Sequence, residues 1–120
     1  MIRPGCMLFA GEDDPGRIVI EDDVLFSTGV RIYCDDHEFA DPTQPIWQQG
    51  YRKTLPVTIK RGAWLGVGAI IMPGVTVGEN AVVGAGAVVT RSIPDRAIAV
   101  GVPARVIKQI IKNNIPRETT

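Results

Sequence analysis

Ile59-Lys-Arg-Gly-Ala-Trp64 opens a run of six-residue units that decides the fold of this 120-residue chain. The units that follow are Leu65-Gly-Val-Gly-Ala-Ile70, Ile71-Met-Pro-Gly-Val-Thr76, Val77-Gly-Glu-Asn-Ala-Val82, Val83-Gly-Ala-Gly-Ala-Val88 and Val89-Thr-Arg-Ser-Ile-Pro94. Each unit begins with an aliphatic residue, and its fifth residue is small or β-branched. An amphipathic helix would scatter these positions around its axis, and simple strand alternation repeats every two residues. A parallel β-helix has this period, because three short strands complete one coil and each buries an aliphatic side chain.

The same period returns upstream of the run. Three units beginning at Ile20, Phe26 and Ile32 form one further coil, which ends at His37. When coils stack, the first residues of equivalent units should meet in the core. The predicted stacks are Ile20 with Ile59 and Val77, Phe26 with Leu65 and Val83, and Ile32 with Ile71 and Val89.

The period fails at both ends of the chain and in one internal segment. Residues 1–17 predict a degenerate first coil, in which Ile2 and Leu8 keep the register. The chain itself or another subunit should cover the first coil, because an open sheet edge invites aggregation. Residues 38–58 form a long loop excursion, of a length typical of functional or disordered loops. Downstream of Pro103, aliphatic side chains at helical spacing predict a short C-terminal helix over 104–113.

Composition indicates one small domain. The 13 basic and 13 acidic residues balance, which argues against general binding to nucleic acid or to a membrane surface. No apolar run is long enough to span a membrane and the first residues do not resemble a signal peptide, so the cytoplasm is the expected location. Cys6 at a core-like position and Cys34 in a turn have neither CxxC nor metal-ligand spacing, which favours free thiols.

The stretch from Trp64 to Pro94, continued by Gly101-Val-Pro-Ala-Arg-Val-Ile-Lys108, resembles the hexapeptide-repeat acyltransferases. It is most similar to the maltose and galactoside O-acetyltransferases and to the O-acetyltransferases of surface polysaccharide biosynthesis. The resemblance covers about residues 18–108. It implies a left-handed parallel β-helix, an exception to right-handed crossover, and a homotrimer that binds acetyl-CoA in the grooves between adjacent prisms. It also implies transfer of an acetyl group to a hydroxyl of a sugar-like acceptor.

The only histidine, His37, is the candidate catalytic residue. Acetyl transfer needs a base to remove the hydroxyl proton, and imidazole, which titrates near neutral pH, suits that task. His37 precedes the long excursion, where the family has its catalytic histidine. The neighbouring Asp35, Asp36 and Glu38 are candidates to orient the ring, or they are ordinary turn residues. Neither cysteine is expected to act as a nucleophile.

The resemblance also implies a coenzyme site. Two residues should lie along the pantetheine arm, two near its adenine end and two near the phosphates: respectively Val67 and Ala85, Thr90 and Arg91, and Arg105 and Lys108. Relatives often carry serine at the position of Val67, so only a backbone contact is expected there. Arg91 stands where lysine is frequent, and it keeps the charge but not the geometry.

The acceptor site is expected at the excursion. In the family the corresponding loop reaches over a neighbouring subunit and helps to wall the acceptor pocket, which implicates Trp47 and Tyr51. Asp14 is a candidate acidic contact to the acceptor, although the longer N-terminal segment of the family has no counterpart here. A surface loop whose aromatic residues hold it to the prism is the alternative. Trp64 should face outward, at a subunit contact or at the coenzyme groove.

There are two alternatives to a transferase. A γ-type carbonic anhydrase shares the prism but binds zinc through three histidines, and this chain has one; no metal site is therefore expected. A non-catalytic trimeric scaffold, which is a truncated or decayed transferase, remains the alternative. The acceptor, its attacking group and the length of the acyl chain stay open.

Overall fold

The computed structural model describes residues 1–11 and 17–112. This part of the chain contains short β-strands and one 3-10 turn, Ile46–Gln48, and no helix in it is long and apolar enough to cross a membrane. The strands are β1 (Met7–Phe9), β2 (Ile18–Ile20), β3 (Leu25–Phe26), β4 (Arg31–Tyr33), β5 (Val57–Ile59), β6 (Trp64–Leu65), β7 (Ile70–Ile71), β8 (Thr76–Val77), β9 (Val82–Val83), β10 (Val88–Val89), β11 (Ala97–Val100) and β12 (Arg105–Gln109).

Consecutive strands enter three different sheets, so that the chain winds around a prism. Sheet A contains β3, β6, β9 and β11 in parallel, with β12 antiparallel on its edge. Sheet B contains β1, β4, β7 and β10, and sheet C contains β2, β5 and β8, all parallel. The prism is elongated, with extents of 54 × 27 × 23 Å. Its corners, which we name C–A, A–B and B–C after the sheets they join, carry the turns.

The predicted core stacks are confirmed. Ile59 pairs with Ile20 and Val77 in sheet C, and the same register holds for the stacks in the two other sheets. Eight of the nine predicted side chains are buried, and Ile20 at the edge is half-buried. The small or β-branched fifth residues of the units fill the remaining interior, as Ala63, Ala69, Val75, Ala81 and Ala87 show.

Two kinds of position form the turns of the prism. At the fourth place of a unit the backbone is left-handed, as at Gly86 with a φ of 70° and at Asn80 with a φ of 53°. At the second place the chain lies against the next coil, and a Cβ added to Gly78 would lie 2.4 Å from the backbone nitrogen of Asp95. At the fourth place glycine therefore allows a left-handed backbone, and at the second place it allows close approach of the next coil.

The first residues extend two sides of the prism by one layer. Leu8 pairs with Ile32 at the start of sheet B, and Ile2 forms a bridge to Phe26 at the start of sheet A. The N-terminal ammonium donates a hydrogen bond to the Val24 carbonyl at 2.6 Å. The chain itself thus covers the first strands of these two sheets.

The predicted C-terminal helix over 104–113 is wrong. After a turn at residues 101–104 the chain returns as the strand β12, antiparallel to β11, and residue 113 lies outside the described residues. The edge of β11 offers unpaired backbone groups, whereas a helix of ten residues is marginal in isolation. The β-branched side chains of Val106 and Ile107 also favour a strand.

Candidate functional site

His37 lies at the B–C corner, where the excursion leaves the first coil, and its side chain is exposed. The two ends of the excursion meet there. The Glu38 N–H donates to the Gly50 carbonyl at 2.9 Å, and the Arg52 N–H donates to the Asp36 carbonyl at 2.9 Å. This pairing places the Tyr51 ring against the imidazole, with 4.6 Å between centroids and 28° between planes. Tyr51 therefore limits the orientations that the imidazole can adopt.

A cavity of about 400 Å³ opens beside His37. We call it the histidine pocket; its lining includes Phe9, Tyr33, Tyr51, Asp35, Asp36 and Met72. The rings of Phe9 and Tyr33 stack with 4.9 Å between centroids and are almost parallel, because β1 and β4 pair these residues. Aromatic walls with a few polar groups at the edge are typical of small-molecule sites. The pocket can hold an apolar ring face while its carboxylates accept hydrogen bonds from the ring substituents.

Sequence reasoning missed Phe9 and Tyr33. Both side chains follow the first residue of their unit, Leu8 or Ile32, and therefore lie on the outer side of sheet B. The signal that could have found them is a pair of aromatic residues at equivalent outward positions: Tyr33 in the same unit as His37, and Phe9 one coil before it.

The excursion has a fixed shape that its own polar groups maintain. The Gln49 side chain donates to the carbonyls of Asp41 at 2.8 Å and Gln44 at 3.0 Å, and it accepts from the Asp41 N–H at 3.1 Å. The Thr43 hydroxyl and N–H donate to the Asp41 carboxylate, and these hydrogen bonds lower the pKa of Asp41. Gln49 therefore clamps the two arms of the excursion two residues before Tyr51.

The three predicted acceptor residues differ in position. Tyr51 lines the histidine pocket. Trp47 lies on the 3-10 turn, is 75% exposed, and does not line that pocket within its own chain. Asp14 lies outside the described residues.

A second cavity, of about 410 Å³, continues from the histidine pocket along the B–C corner. We call it the corner groove; its lining includes Asp36, Arg52, Lys53, Met72, Pro73 and Thr90. Asp36 and Met72 line both cavities. Thr90 belongs to the second coil after that of His37, so the groove extends about 10 Å along the prism at the usual strand spacing.

The six predicted coenzyme residues are exposed and lie at three separate places of one chain. Val67 and Ala85 stack at the A–B corner, where the Gly86 N–H donates to the Val67 carbonyl at 2.8 Å. Thr90 and Arg91 follow β10 at the B–C corner, and Arg105 and Lys108 lie on β12 at the edge of sheet A. A single chain therefore does not bring the six residues together.

Trp64 faces outward from sheet A, next to Leu25, as its place in the unit predicts. The indole is 46% exposed, and its N–H donates to the Ser27 hydroxyl at 3.0 Å. One polar contact within the chain thus satisfies the indole, and its ring stays available to a further partner.

Cys34 lies at a bend, as expected from its place in the unit, but its side chain is buried. Cys34 follows β4 but points into the core, where its thiol contacts the Arg17 carbonyl at 3.4 Å. Burial raises the pKa of the Cys34 thiol, which keeps it protonated and unreactive. Cys6 is half-buried, and both thiols are free.

The sequence of this chain is similar to those of known transferases with hexapeptide repeats. The family model described as bacterial transferase hexapeptide (six repeats) matches residues 56–91. The galactoside O-acetyltransferase of Escherichia coli is 37% identical over 97 residues, which are 81% of this chain and 46% of that protein. The chain therefore spans about half the length of this relative.

Two solved structures share the fold. A galactoside acetyltransferase in complex with coenzyme A has a TM-score of 0.75 at 36% identity, over 84% of this chain and 49% of that one. A mutant of AntD, an N-acyltransferase from Bacillus cereus, in complex with dTDP-4-amino-4,6-dideoxyglucose and coenzyme A, has a TM-score of 0.74 at 32% identity, over 89% of this chain and 58% of that one.

These likenesses confirm the predicted fold class, a left-handed parallel β-helix with a long loop excursion. The hexapeptide family model agrees with the six-residue period of the units. The chain belongs to the hexapeptide-repeat transferase family.

Proposed function

We propose that this chain is an acetyl-CoA-dependent O-acetyltransferase that acts on a hydroxyl of a sugar or saccharide-like acceptor, with His37 as the general base. The observation that carries the proposal is the exposed imidazole of His37 at the edge of an aromatic pocket. A structural relative, a galactoside acetyltransferase, was solved in complex with coenzyme A. The stacked rings of Phe9 and Tyr33 offer a flat wall to the C–H face of a pyranose. The Asp35 and Asp36 carboxylates can accept hydrogen bonds from its hydroxyls.

In this mechanism the neutral imidazole of His37 takes the proton of the acceptor hydroxyl while the hydroxyl oxygen attacks the thioester carbon. The carbon–sulfur bond then breaks, and the proton held by His37 passes to the departing thiolate. Tyr51 limits rotation of the imidazole, because the two rings are stacked. Backbone N–H groups at the corner would stabilise the oxyanion of the tetrahedral intermediate. No residue of the chain forms a covalent intermediate.

The proposed assembly is a homotrimer. The six coenzyme residues lie apart within one chain, but the A–B corner of one copy set against the B–C corner of the next would bring Val67 and Ala85 opposite Thr90 and Arg91. Exposed apolar side chains on sheet A, Leu25 and Trp64, support a subunit contact on that side. Sedimentation equilibrium tests this assembly: a mass of three chains is expected, and a stable monomer that still turns over would contradict it.

We expect the reaction to take place in the cytoplasm and to serve the biosynthesis of a polysaccharide. The enzymatic test of the proposal depends on neither expectation. Acetyl transfer from acetyl-CoA is measured with maltose, a galactoside and an amino sugar as acceptors, because AntD is an N-acyltransferase. With the acceptor that is used, His37→Asn should lower kcat by about 10²- to 10⁴-fold. Calorimetric affinity for acetyl-CoA should stay unchanged, which shows that the variant is folded. Full turnover by His37→Asn would reject the general base.

A non-catalytic scaffold is the rival outcome of the same experiment. A folded wild-type protein that binds no acetyl-CoA and acetylates none of these acceptors would favour it.

A further inference from the structure

The corner groove contains two cations, Arg52 and Lys53, that form no ion pair with an acidic residue among residues 1–11 and 17–112. Among the described residues the ion pairs belong to Arg61, which contacts Asp23 and Glu79. The Arg52 guanidinium instead lies over the Phe39 ring, 5.6 Å from its centroid, and Arg52 and Lys53 are both exposed. Arginine and lysine that face a groove without a carboxylate partner keep their hydrogen-bond donors for a ligand.

The two connected cavities differ in charge. The histidine pocket contains the carboxylates of Asp35 and Asp36 and neither a lysine nor an arginine. The corner groove shares Asp36 but adds Arg52 and Lys53, so its lining carries a net positive charge. An elongated ligand across both cavities would therefore be neutral or cationic at the His37 end and anionic at the other.

The remaining lining of the groove limits the class of anion. Met72 and Pro73 provide an apolar floor. Thr90, which carries a hydroxyl group, lies one coil beyond these two residues. A guanidinium, an ammonium and a hydroxyl along one groove suit the several oxygens of a phosphate or pyrophosphate better than a single carboxylate.

We propose that Arg52 and Lys53 bind a phosphate group of a substrate whose reacting end lies in the histidine pocket. Assignment of this phosphate to a substrate of His37 rests on the proposed function. The phosphate group would come from the coenzyme or from a nucleoside diphosphate that carries the acceptor sugar. Neither residue is among the expected coenzyme residues, which lie on β12 and at the turns of the prism.

Calorimetry with Arg52→Gln and Lys53→Gln tests the proposal without turnover. The probes are inorganic pyrophosphate, acetyl-CoA and dTDP. Each variant should bind pyrophosphate about 10-fold more weakly, the usual effect of a lost charged hydrogen bond. The matched control is Lys60→Gln, a lysine at the C–A corner outside both cavities, which should change nothing.

The other probes separate the two sources. If the phosphate belongs to the coenzyme, acetyl-CoA loses affinity and dTDP does not; if it belongs to the acceptor, the reverse holds. Unchanged affinity for all three probes, or an equal loss with Lys60→Gln, would overturn the proposal. Since pyrophosphate binding is read directly, loss of this site is distinguishable from failure of acetyl transfer itself.

Discussion

Replacement of Gly78 by alanine tests whether close approach of successive coils stabilises this prism. The added Cβ would lie 2.4 Å from the Asp95 nitrogen and 2.5 Å from the Pro94 carbonyl carbon, whereas ordinary contacts begin at 3.4 Å. The obstructing atoms are backbone, so the next coil must move by about 1 Å. Such a movement would break the hydrogen bond from the Gly78 N–H to the Ile93 carbonyl, now 2.8 Å long.

The expected cost follows from three contributions. Overpacking of a close-packed region costs about 1–3 kcal/mol, and the lost backbone hydrogen bond costs about 1 kcal/mol. The φ of Gly78 is not left-handed, so alanine restricts the unfolded chain and returns about 0.4–1 kcal/mol. The free energy of unfolding should therefore fall by about 2 kcal/mol.

Urea denaturation, followed by tryptophan fluorescence at one protein concentration, measures this change. Gly86→Asn is the matched control, because nothing lies within 4 Å of a Cβ there and Asn80 already adopts a similar left-handed conformation. The control should cost less than about 1 kcal/mol. If Gly78→Ala is as stable as the wild type, or Gly86→Asn costs more than Gly78→Ala, the reasoning about coil stacking is refuted.

Three further predictions concern the core, a thiol and the excursion. Ile71 is fully buried at the middle of its stack, between Ile32 and Val89. Ile71→Ala should lower the free energy of unfolding by about 2–5 kcal/mol in the same urea assay, and a loss below about 1 kcal/mol would contradict the predicted stacking. Cys34 should resist thiol reagents until the protein unfolds. Cys34→Ser should leave acetyl transfer intact, and loss of turnover in this variant would contradict the non-covalent mechanism. Burial raises the pKa of Cys34 in the folded state above that of a free thiol. The stability that Cys34 contributes is therefore complete below the pKa of the free thiol and falls as the pH rises through the folded-state pKa. Cys34→Ala should reduce this alkaline loss of stability in thermal unfolding scans. Gln49→Ala removes three hydrogen bonds of the excursion and should loosen Tyr51. The KM for the acceptor should then rise while the Kd for acetyl-CoA stays constant. Parallel changes in both constants would show a general structural role instead.

The parts of the fold that repeat locally could be predicted from the sequence. Ile32 and Ile71 recur at the same place of their units, and stacking needs only that period, so their pairing followed directly. The position of His37 at a corner followed from the same count. These predictions require only the period of the units and the place where it is interrupted.

The parts that depend on distant contacts could not be predicted. Val106 and Ile107 favour a strand by their β-branching, but with Ile110 and Ile111 they also form one apolar face of a helix, and the free edge of β11 decides between the two. Phe9 and Tyr33 meet only because β1 continues sheet B past a segment without the period. Arg52 and Lys53 reach the corner groove because the excursion closes on itself at His37, which no local pattern encodes.

Calorimetric titration of acetyl-CoA into the wild-type protein tests the central claim most directly, since it requires no knowledge of the acceptor. The transferase account predicts one site per chain with micromolar affinity, weakened by Arg105→Ala or Lys108→Ala. A folded protein that gives no binding heat across a range of temperatures would contradict the account and favour the scaffold.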